Sequence, residues 1–372
     1  MEPFKNKYCE NTLKPFALSI KKAYPKFKSK NFITESTKII SPLEMKDRVR
    51  AIAENLYKHL PKNYNTAVDI LISSLAESVD DESATWEVES KSGISGFMVW
   101  PLTQYVELYG IDHYEKSLEA LHAMTQRFSS EFAVRPFIER YDKDFFKVLK
   151  IWKKDESHHV RRLVSEGTRP RLPWGIKVLA IHNNLERNTK LIFSLRKDSS
   201  LYVRRSVANH LNDISYLDED LFFKTLDKMG NSKEEVWIKR HATRSLLKKG
   251  NSRALQMHGY DPKLKLKTNL SLSSNKIIEG ESFELSLDLE KKTTKESNIL
   301  VEYIIHYPKK NGSYSPKVFR LKDTKIGKSL SLVKKIHFKK VTTRTHYPGI
   351  HFLEIQINGR QYQRLSFELE VR

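Results

Sequence analysis

The chain has 372 residues, of which 39% are hydrophobic and 30% charged, and its formal net charge at pH 7 is +21. This length allows two or three domains, and the apolar content is sufficient for a buried core. The large positive charge indicates a polyanionic partner, with nucleic acid favoured over an anionic membrane surface. Cys9 is the only cysteine, which excludes an intramolecular disulfide and a zinc site built from cysteines.

The first residues, Met-Glu-Pro-Phe-Lys-Asn-Lys, contain no apolar core, so we expect no signal peptide. No run of 18 apolar residues occurs, so we expect no membrane span. With a single cysteine, these features favour a reducing, cytoplasmic environment.

Residues 1–258 show the spacing of helices. The sequence Ser41-Pro42-Leu43-Glu44 resembles a helix start, with Ser41 as the cap and Pro42 at the first helical position. Apolar residues then recur at helical intervals from Met45 to Leu60. Further helices are predicted at 66–77, at 101–109 before Gly110, and at about 112–128.

A loose repeat begins near residue 131 and consists of paired helices. The first helix of a pair contains Phe145–Leu149, Lys190–Phe193 or Phe222–Leu226. The second contains Val160–Val164, Val203–Val207 or Ile238–Ala242, at spacings of about 43 and 35 residues. Repeats of this length are typical of HEAT and armadillo helix pairs, so we predict an α-solenoid with the second helices lining its concave face.

The pattern changes to strands near residue 259, after which Asp261-Pro262 breaks the helical periodicity. Alternating apolar and polar residues occur in six segments: 264–266, 283–289, 301–305, 329–333, 351–357 and 365–371. Seven or so short strands in about 110 residues predict an immunoglobulin-like β-sandwich without a disulfide. The predicted fold is therefore mainly α, with a helical-repeat domain at 1–258 and an all-β sandwich at 259–372.

The sandwich is denser in positive charge than the rest of the chain. Residues 259–372 contain 22 lysines and arginines against 12 acidic residues. We therefore expect this domain to contact the polyanion as well, through basic loops at 307–317 or 335–346.

The segment from Val164 to Trp174 combines a helix stop with unusual chemistry. Gly167 can end a helix, and Pro170 and Pro173 prevent a regular helix from resuming. The stiff loop carries two arginines, which suit phosphates, and Trp174, which suits stacking. Glu166 repels phosphate, so its presence beside them suggests a chemical role; an ordinary helix end with solvated charges is the alternative.

Acidic residues recur on the polar faces of successive helices. On a helical wheel three mixed faces appear: Glu131, Arg135 and Glu139; Arg162, Glu166 and Arg169; Arg205, Asn209 and Asp213. Consecutive second helices are neighbours in a solenoid, so Glu131, Glu166 and Asp213 could converge in the groove. Ion pairing within one helix, which stabilises by only about 0.2–0.5 kcal/mol, is the more common explanation of each pair taken alone, whereas three acids on adjacent helices favour a functional site.

Two reactions on nucleic acid could use three carboxylates. One is metal-dependent phosphodiester cleavage. The other is cleavage of a glycosidic bond, in which carboxylates stabilise an oxocarbenium-like sugar and orient water. A base alkylated on a ring nitrogen is cationic and leaves without an acid, so carboxylates in a groove would suffice for it.

The chain resembles the AlkC branch of the AlkC/AlkD-type DNA glycosylases, bacterial enzymes built of HEAT-like repeats. The resemblance covers nearly the whole chain and rests on five segments: Met45–Arg50, Val99–Thr103, Ser130–Phe137, Ser165–Trp174 and Val203–Asp213. The block that ends in Trp174 is the most specific. The basic C-terminal sandwich matches the form of the family that carries an immunoglobulin-like domain.

This resemblance implies a monofunctional glycosylase that excises cationic bases such as 3-methyladenine, 3-methylcytosine and 1-methyladenine from duplex DNA in base excision repair. It further implies that the enzyme does so without flipping the base, unlike most base-processing enzymes. No cofactor and no metal ion are implied. We expect a monomer in the bacterial cytoplasm, associated with the nucleoid.

The resemblance also assigns roles to residues. Glu131, Glu166 and Asp213 would be catalytic, surrounding the deoxyribose, stabilising its charge and positioning water. Trp174 would contact the sugar face, and Arg169 would reach into the duplex. The remaining DNA-binding candidates would contact phosphates or support the groups that do: Arg135, Arg171, Arg204 and Arg205.

Two other functions fit the same pattern. A non-catalytic HEAT-repeat protein could bind damaged or bent DNA, in which case Glu166 would contribute nothing to affinity. A protein-binding HEAT scaffold would show weak, salt-insensitive affinity for DNA.

Overall fold

A computed structural model describes residues 3–78, 92–340 and 345–371. The described part of the chain contains sixteen α-helices, which are followed by eight β-strands. The helices preceding the repeats are α1 Glu10–Ala23, α2 Ser29–Ile40, α3 Met45–His59, α4 Tyr64–Ser73, α5 Trp100–Tyr109 and α6 Tyr114–Thr125. The remaining ten are α7 Val134–Arg140, α8 Asp142–Trp152, α9 His158–Gly167, α10 Leu179–His182, α11 Leu185–Phe193, α12 Leu201–Ile214, α13 Glu219–Asp227, α14 Lys233–Ala242, α15 Arg244–Lys248 and α16 Ser252–Met257.

The helical repeat is confirmed, and its pairs are α8 with α9, α11 with α12, and α13 with α14. Helix α12 packs against both α9 and α14, so the second helices of consecutive pairs are neighbours. Their apolar stripes are fully buried; in α9 this stripe is Val160, Leu163 and Val164. No helix in the described ranges is both long and apolar enough to cross a bilayer.

The predicted helix start at Ser41 is wrong. Ser41 instead follows the last residue of α2, and the next helix begins at Met45 with Glu44 at its cap position. The Leu43 amide donates to the Ile40 carbonyl, 3.0 Å away, so residues 41–43 form a turn between two helices. The proline here separates two helices rather than starting one.

The strands form an immunoglobulin-like sandwich, as predicted. They are β1 Lys267–Leu272, β2 Lys276–Ile278, β3 Ser282–Glu290, β4 Ser297–Pro308, β5 Tyr314–Ile326, β6 Ser329–His337, β7 Gly349–Ile357 and β8 Arg360–Glu370. One sheet has the order β1-β3-β6 and the other β2-β8-β7-β4-β5. Apolar side chains from both sheets form one core, among them Leu285 and Leu287 from the first and Val301 and Ile355 from the second.

Strand β5 lies where we predicted a basic loop. It pairs with β4 at the edge of the larger sheet, and only the short segment 309–313 turns between them. Most of its side chains are exposed, so the strand lacks the strong apolar alternation of a buried strand. The segment predicted at 264–266 is also not a strand, since β1 begins at Lys267. Of the second predicted basic loop, 335–337 belong to β6, and 341–344 lie outside the described residues.

The chain divides into two compact units between Ala242 and Thr243, before the boundary predicted at 258. Helices α15 and α16 therefore group with the sandwich. The Gln356 side chain donates to the Lys248 carbonyl at 3.1 Å, and the Gly359 backbone lies directly against that of Gly250. Periodicity alone marks where helices stop, whereas these contacts decide to which core a helix belongs.

The contact between Gly250 and Gly359 can be tested with two alanine variants. A Cβ on Gly359 would lie 2.5 Å from the Gly250 Cα, and the residue has a φ of +76°. Gly312 has a similar φ of +77° but no atom within 4 Å of the same position. Gly359→Ala should lower the free energy of unfolding by about 1–3 kcal/mol more than Gly312→Ala, because only the first adds overpacking to backbone strain. Urea unfolding of both variants measures the difference; equal losses would show that the close approach contributes nothing.

Candidate active site

Helices α9 and α12 lie side by side and present the candidate catalytic residues. The Ser200 side chain accepts a hydrogen bond from the Val203 amide and so caps α12. Gly167 is the last residue of α9, as the sequence indicated, and a Cβ there would lie 2.7 Å from a methyl group of Val134. A glycine at this position allows α7 and α9 to approach closely.

Two arginines connect the three predicted acids into one chain. Arg162 donates to the carboxylate of Glu131 at 2.7 Å, and a second nitrogen of Arg162 lies 3.6 Å from Glu166. Arg169 donates to Glu166 at 2.7 Å and binds both oxygens of Asp213, at 2.8 and 3.1 Å. The structure thus brings Glu131, which lies in the turn before α7, together with Glu166 of α9 and Asp213 of α12.

Glu166 is buried and yet ionised. Burial opposes its charge, but Arg162, Arg169 and a hydrogen bond from Ser206 outweigh this effect and hold its pKa below the ordinary value. The Ser206 hydroxyl donates to Glu166 across the two helices at 2.6 Å. Charge-assisted bonds of this kind fix the carboxylate in one orientation.

His210 lies between the helices that carry Glu166 and Asp213, and it is fully buried. Its Nδ1 donates to the Ser165 carbonyl at 3.0 Å, whereas its Nε2 has no hydrogen-bond partner among the described residues. Burial therefore lowers the pKa of His210 to about 4, so the ring is neutral at pH 7. The ring joins α9 to α12 beside the acids.

Trp174 is exposed over 66% of its surface, which is unusual for so large an apolar side chain. Its backbone has a φ of +64°; of the described non-glycine residues, only Asn358 shares a positive φ. A bulky residue in this left-handed region is strained, and such strain often marks functional sites. Trp174 therefore presents its ring to solvent at the end of the loop that leaves α9.

Arg135 does not face solvent, contrary to what a phosphate-binding residue requires. It is only 1% exposed and donates to the carbonyl oxygens of Gly167, Arg169 and Ile176 at 2.8–2.9 Å. Burial lowers its pKa to about 10, so it remains charged at pH 7. Its guanidinium therefore stabilises the loop through these carbonyl oxygens rather than contacting a phosphate of DNA.

The other predicted arginines differ in their surroundings. Arg204 donates to the carbonyls of Asp198 and Ser199 at the start of α12, at 2.6 and 2.7 Å. Arg205 is exposed, as a phosphate contact requires. Arg171 is also exposed and lies 4.1 Å above the ring of Tyr216. Arg169 is only 9% exposed because it binds the two carboxylates.

Sequence reasoning assigned no site role to Arg162, Ser206 or His210. The sequence pairs Arg162 with Glu166 within one helix, whereas the shorter bond of Arg162 is to Glu131, in the turn before α7. Ser206 precedes Asp213 by seven residues, a spacing that puts both on one helical face and could have indicated it. His210 lies seven residues after Val203 and three after Val207, so helical periodicity puts it on the buried stripe and could have indicated its burial.

Comparison with known proteins shows full-length relatives. "Uncharacterized protein YhaZ" of Bacillus subtilis (strain 168) is 35% identical over 374 residues, which cover 99% of this chain and 100% of that protein. The structure also matches that of the Pseudomonas fluorescens alkylpurine DNA glycosylase AlkC bound to DNA containing an abasic site analog. The TM-score is 0.89, with 32% identity over 99% of this chain and 100% of that one. The chain belongs to the AlkC-type family. Its residues 267–371 match the family described as "Uncharacterised protein YhaZ, C-terminal Ig-like domain", which agrees with the predicted form of AlkC-type protein.

The arrangement in this AlkC-type chain is suited to stabilising a positive charge. Glu166 and Asp213 flank a single guanidinium, so their oxygens already surround the place of a cation. In a partly dry site, charges a few ångströms apart interact by several kcal/mol, more strongly than in water. Another cation at the position of the Arg169 guanidinium would interact with the same two carboxylates.

The buried histidine makes a prediction about acid stability. Because the folded pKa of His210 is about 4 and that of an unfolded histidine about 6.5, only the unfolded chain binds this proton between those values. The free energy of unfolding should therefore fall by about 3 kcal/mol as the pH drops from 6.5 to 4. His210→Asn, which keeps a donor for Ser165, should flatten this dependence in urea unfolding followed by circular dichroism at 222 nm. The matched control is His337→Asn, which alters an exposed histidine; an unchanged slope in His210→Asn would contradict the assignment.

Proposed function

We propose that this AlkC-type chain is a DNA glycosylase that repairs alkylation damage. The observation that carries the proposal is the pair of buried carboxylates around one guanidinium, in a chain that also has a strained and exposed tryptophan on the loop that follows α9. The full-length similarity of the chain to the alkylpurine DNA glycosylase AlkC supports the same activity. The net charge of +21 supports a DNA partner.

We propose cationic alkylated bases as the substrates, such as 3-methyladenine, 3-methylcytosine and 1-methyladenine in duplex DNA. Their glycosidic bond breaks with the electron pair leaving to the base, which neutralises the charge of the base. No general acid is then required, and the sugar becomes an oxocarbenium ion. Carboxylates that surround this sugar lower the barrier, since its positive charge develops where they already lie.

In this mechanism Glu131, Glu166 and Asp213 stabilise the sugar cation and orient the water that attacks it. Arg169 leaves the carboxylates, turns toward the duplex and fills the space beside the lesion. The charge that balanced the acids in the free protein is then replaced by that of the substrate. Trp174, which is exposed, contacts the face of the deoxyribose, and the base is released without being flipped into a pocket.

Phosphates of the duplex are bound by the exposed cations. In the helical unit these include Arg171 and Arg205, and in the sandwich the exposed lysines Lys309, Lys310 and Lys317 around the hairpin of β4 and β5. Such contacts give affinity without sequence preference, which suits damage that arises anywhere in DNA. We propose a monomer, since the carboxylates and Trp174 come from one chain.

Glu166→Gln tests the chemical role of the acids. The amide keeps the shape and can still contact Ser206 but lacks the charge that stabilises the sugar, so base release should fall by about 100-fold or more. Binding to the same duplex should remain equal or improve, because a charge that repels phosphate is removed. The measurement is release of 3-methyladenine and 3-methylcytosine from methylated duplex DNA in EDTA. Glu77→Gln, at an exposed glutamate, is the control.

Release by the wild-type protein and by Glu77→Gln, but not by Glu166→Gln, would support a metal-independent glycosylase. If the wild type binds duplex DNA tightly but releases no base, the chain would instead be a non-catalytic protein that recognises damaged or bent DNA. Loss of release in EDTA with recovery in Mg²⁺ would favour metal-dependent chemistry.

The affinity for DNA should depend steeply on salt. Each neutralised phosphate adds about −0.9 to the slope of log K against log salt concentration, so Arg205→Gln should reduce the slope by about 1. Arg135→Gln protein that remains folded should keep the wild-type salt slope, because the guanidinium of Arg135 binds backbone carbonyls and not phosphates. Fluorescence anisotropy at salt concentrations from about 50 to about 200 mM measures the salt slopes of both variants. A weak affinity with no salt dependence would favour a protein-binding scaffold.

A further inference from the structure

We propose that Lys46 is a positioning residue that, together with Arg135, holds Trp174 in its strained backbone conformation. The proposal rests on the proposed function, in which Trp174 contacts the sugar. The segment Met45–Arg50 is one of those that carry the family resemblance, but none of the site residues described above lies in it. The proposal assigns a role to this segment.

The contact connects distant parts of the chain. Lys46, in the first turn of α3, donates from its ammonium group to the carbonyl oxygen of Trp174 at 2.8 Å, across 128 residues of sequence. The same ammonium group lies 5.7 Å above the ring of Phe132. Its charge also partly offsets the burial that raises the pKa of Glu107. A lysine with three partners is held in one place, so it can fix the carbonyl it contacts.

The loop is held from a second side by Arg135, through the carbonyls of Gly167, Arg169 and Ile176. Space beside Trp174 is tight as well. A Cβ on Gly175 would lie 3.2 Å from the Arg135 Nε and 3.0 Å from the side chain of Leu172. Two cations therefore bind this loop: Lys46 of α3 binds the carbonyl of Trp174 itself, and Arg135 of α7 binds carbonyls before and after Trp174 in the sequence.

The strain at Trp174 explains why such a clamp is required. A tryptophan with a φ of +64° returns to an ordinary backbone conformation unless its surroundings prevent this. Rotation of this one peptide would move the indole away from its present direction. Because the ring is 66% exposed, packing of the side chain does little to hold it. The hydrogen bonds to the backbone on either side must therefore do so.

An exposed lysine in a basic protein could instead bind a phosphate, and the two roles predict different results. A phosphate contact raises affinity and contributes to the salt slope. A positioning residue acts on the rate of the chemical step through Trp174, with little effect on affinity. Removing both residues should then cost no more than removing one, because residues that act as a unit are not additive.

The experiment compares Lys46→Met, Lys46→Arg, Trp174→Ala and the double variant Lys46→Met/Trp174→Ala. The control is Lys58→Met, at an exposed lysine of the same helix. At saturating DNA, Lys46→Met should release base about tenfold more slowly in single turnover, with an affinity within about threefold of the wild type. Lys46→Arg, which keeps a donor, should recover most of the rate. The Lys46→Met change should have no further effect in the Trp174→Ala background.

A spectroscopic readout keeps this test independent of activity. The fluorescence of Trp174, obtained as the difference between a protein and its Trp174→Phe variant, should shift in Lys46→Met but not in Lys58→Met. If the wild type releases no base, the proposed function fails while the fluorescence still decides whether Lys46 holds Trp174. Additive losses in the double variant, a reduced salt slope or an unchanged Trp174 spectrum would each overturn the proposal.

Discussion

The bridge that Arg169 forms between Glu166 and Asp213 is the interaction on which the site depends. Two carboxylates this buried would repel each other and raise the free energy of the fold if no cation lay between them. The planar guanidinium binds Asp213 with two nitrogens and Glu166 with a third. This geometry fixes the distance between α9 and α12, and Ser206 and His210 of α12 reinforce it through hydrogen bonds to Glu166 and Ser165 of α9. The charge network is therefore part of the packing between two repeats.

In the proposed reaction, the same network explains how the site favours a cationic transition state. Most buried ion pairs stabilise little relative to apolar residues of similar volume, so their presence requires another reason. Here the acids are oriented before any substrate arrives, and their charge is balanced by a side chain on a loop. A cation that replaces Arg169 meets dipoles and charges that need no reorganisation. The stability of the free protein and the chemistry proposed for it thus rely on one set of carboxylates.

Periodicity made the architecture predictable, because each second helix buries one apolar stripe and leaves one mixed face. The faces that carry Glu166 and Asp213 were readable on this basis, and so was the sandwich. The sequence does not predict the roles of the arginines, since nothing in the local pattern distinguishes Arg135 from Arg171. Only the fold shows that the first is used up by carbonyl oxygens and the second is exposed. Strand β5 escaped prediction for a related reason, because an edge strand with exposed lysines resembles a basic loop.

The left-handed backbone of Trp174 is the feature furthest from anything that local sequence specifies. Glycine is the residue expected at such a φ, and the chain places a glycine one position later instead. Left to local preferences, the loop would relax and the indole would move. Hydrogen bonds from α3 and α7 prevent this because the fold brings both helices to the loop, α3 across 128 residues of sequence. A rigid helical scaffold can therefore hold an exposed ring as firmly as an enclosed pocket would, and the reaction proposed for this site requires such a fixed ring.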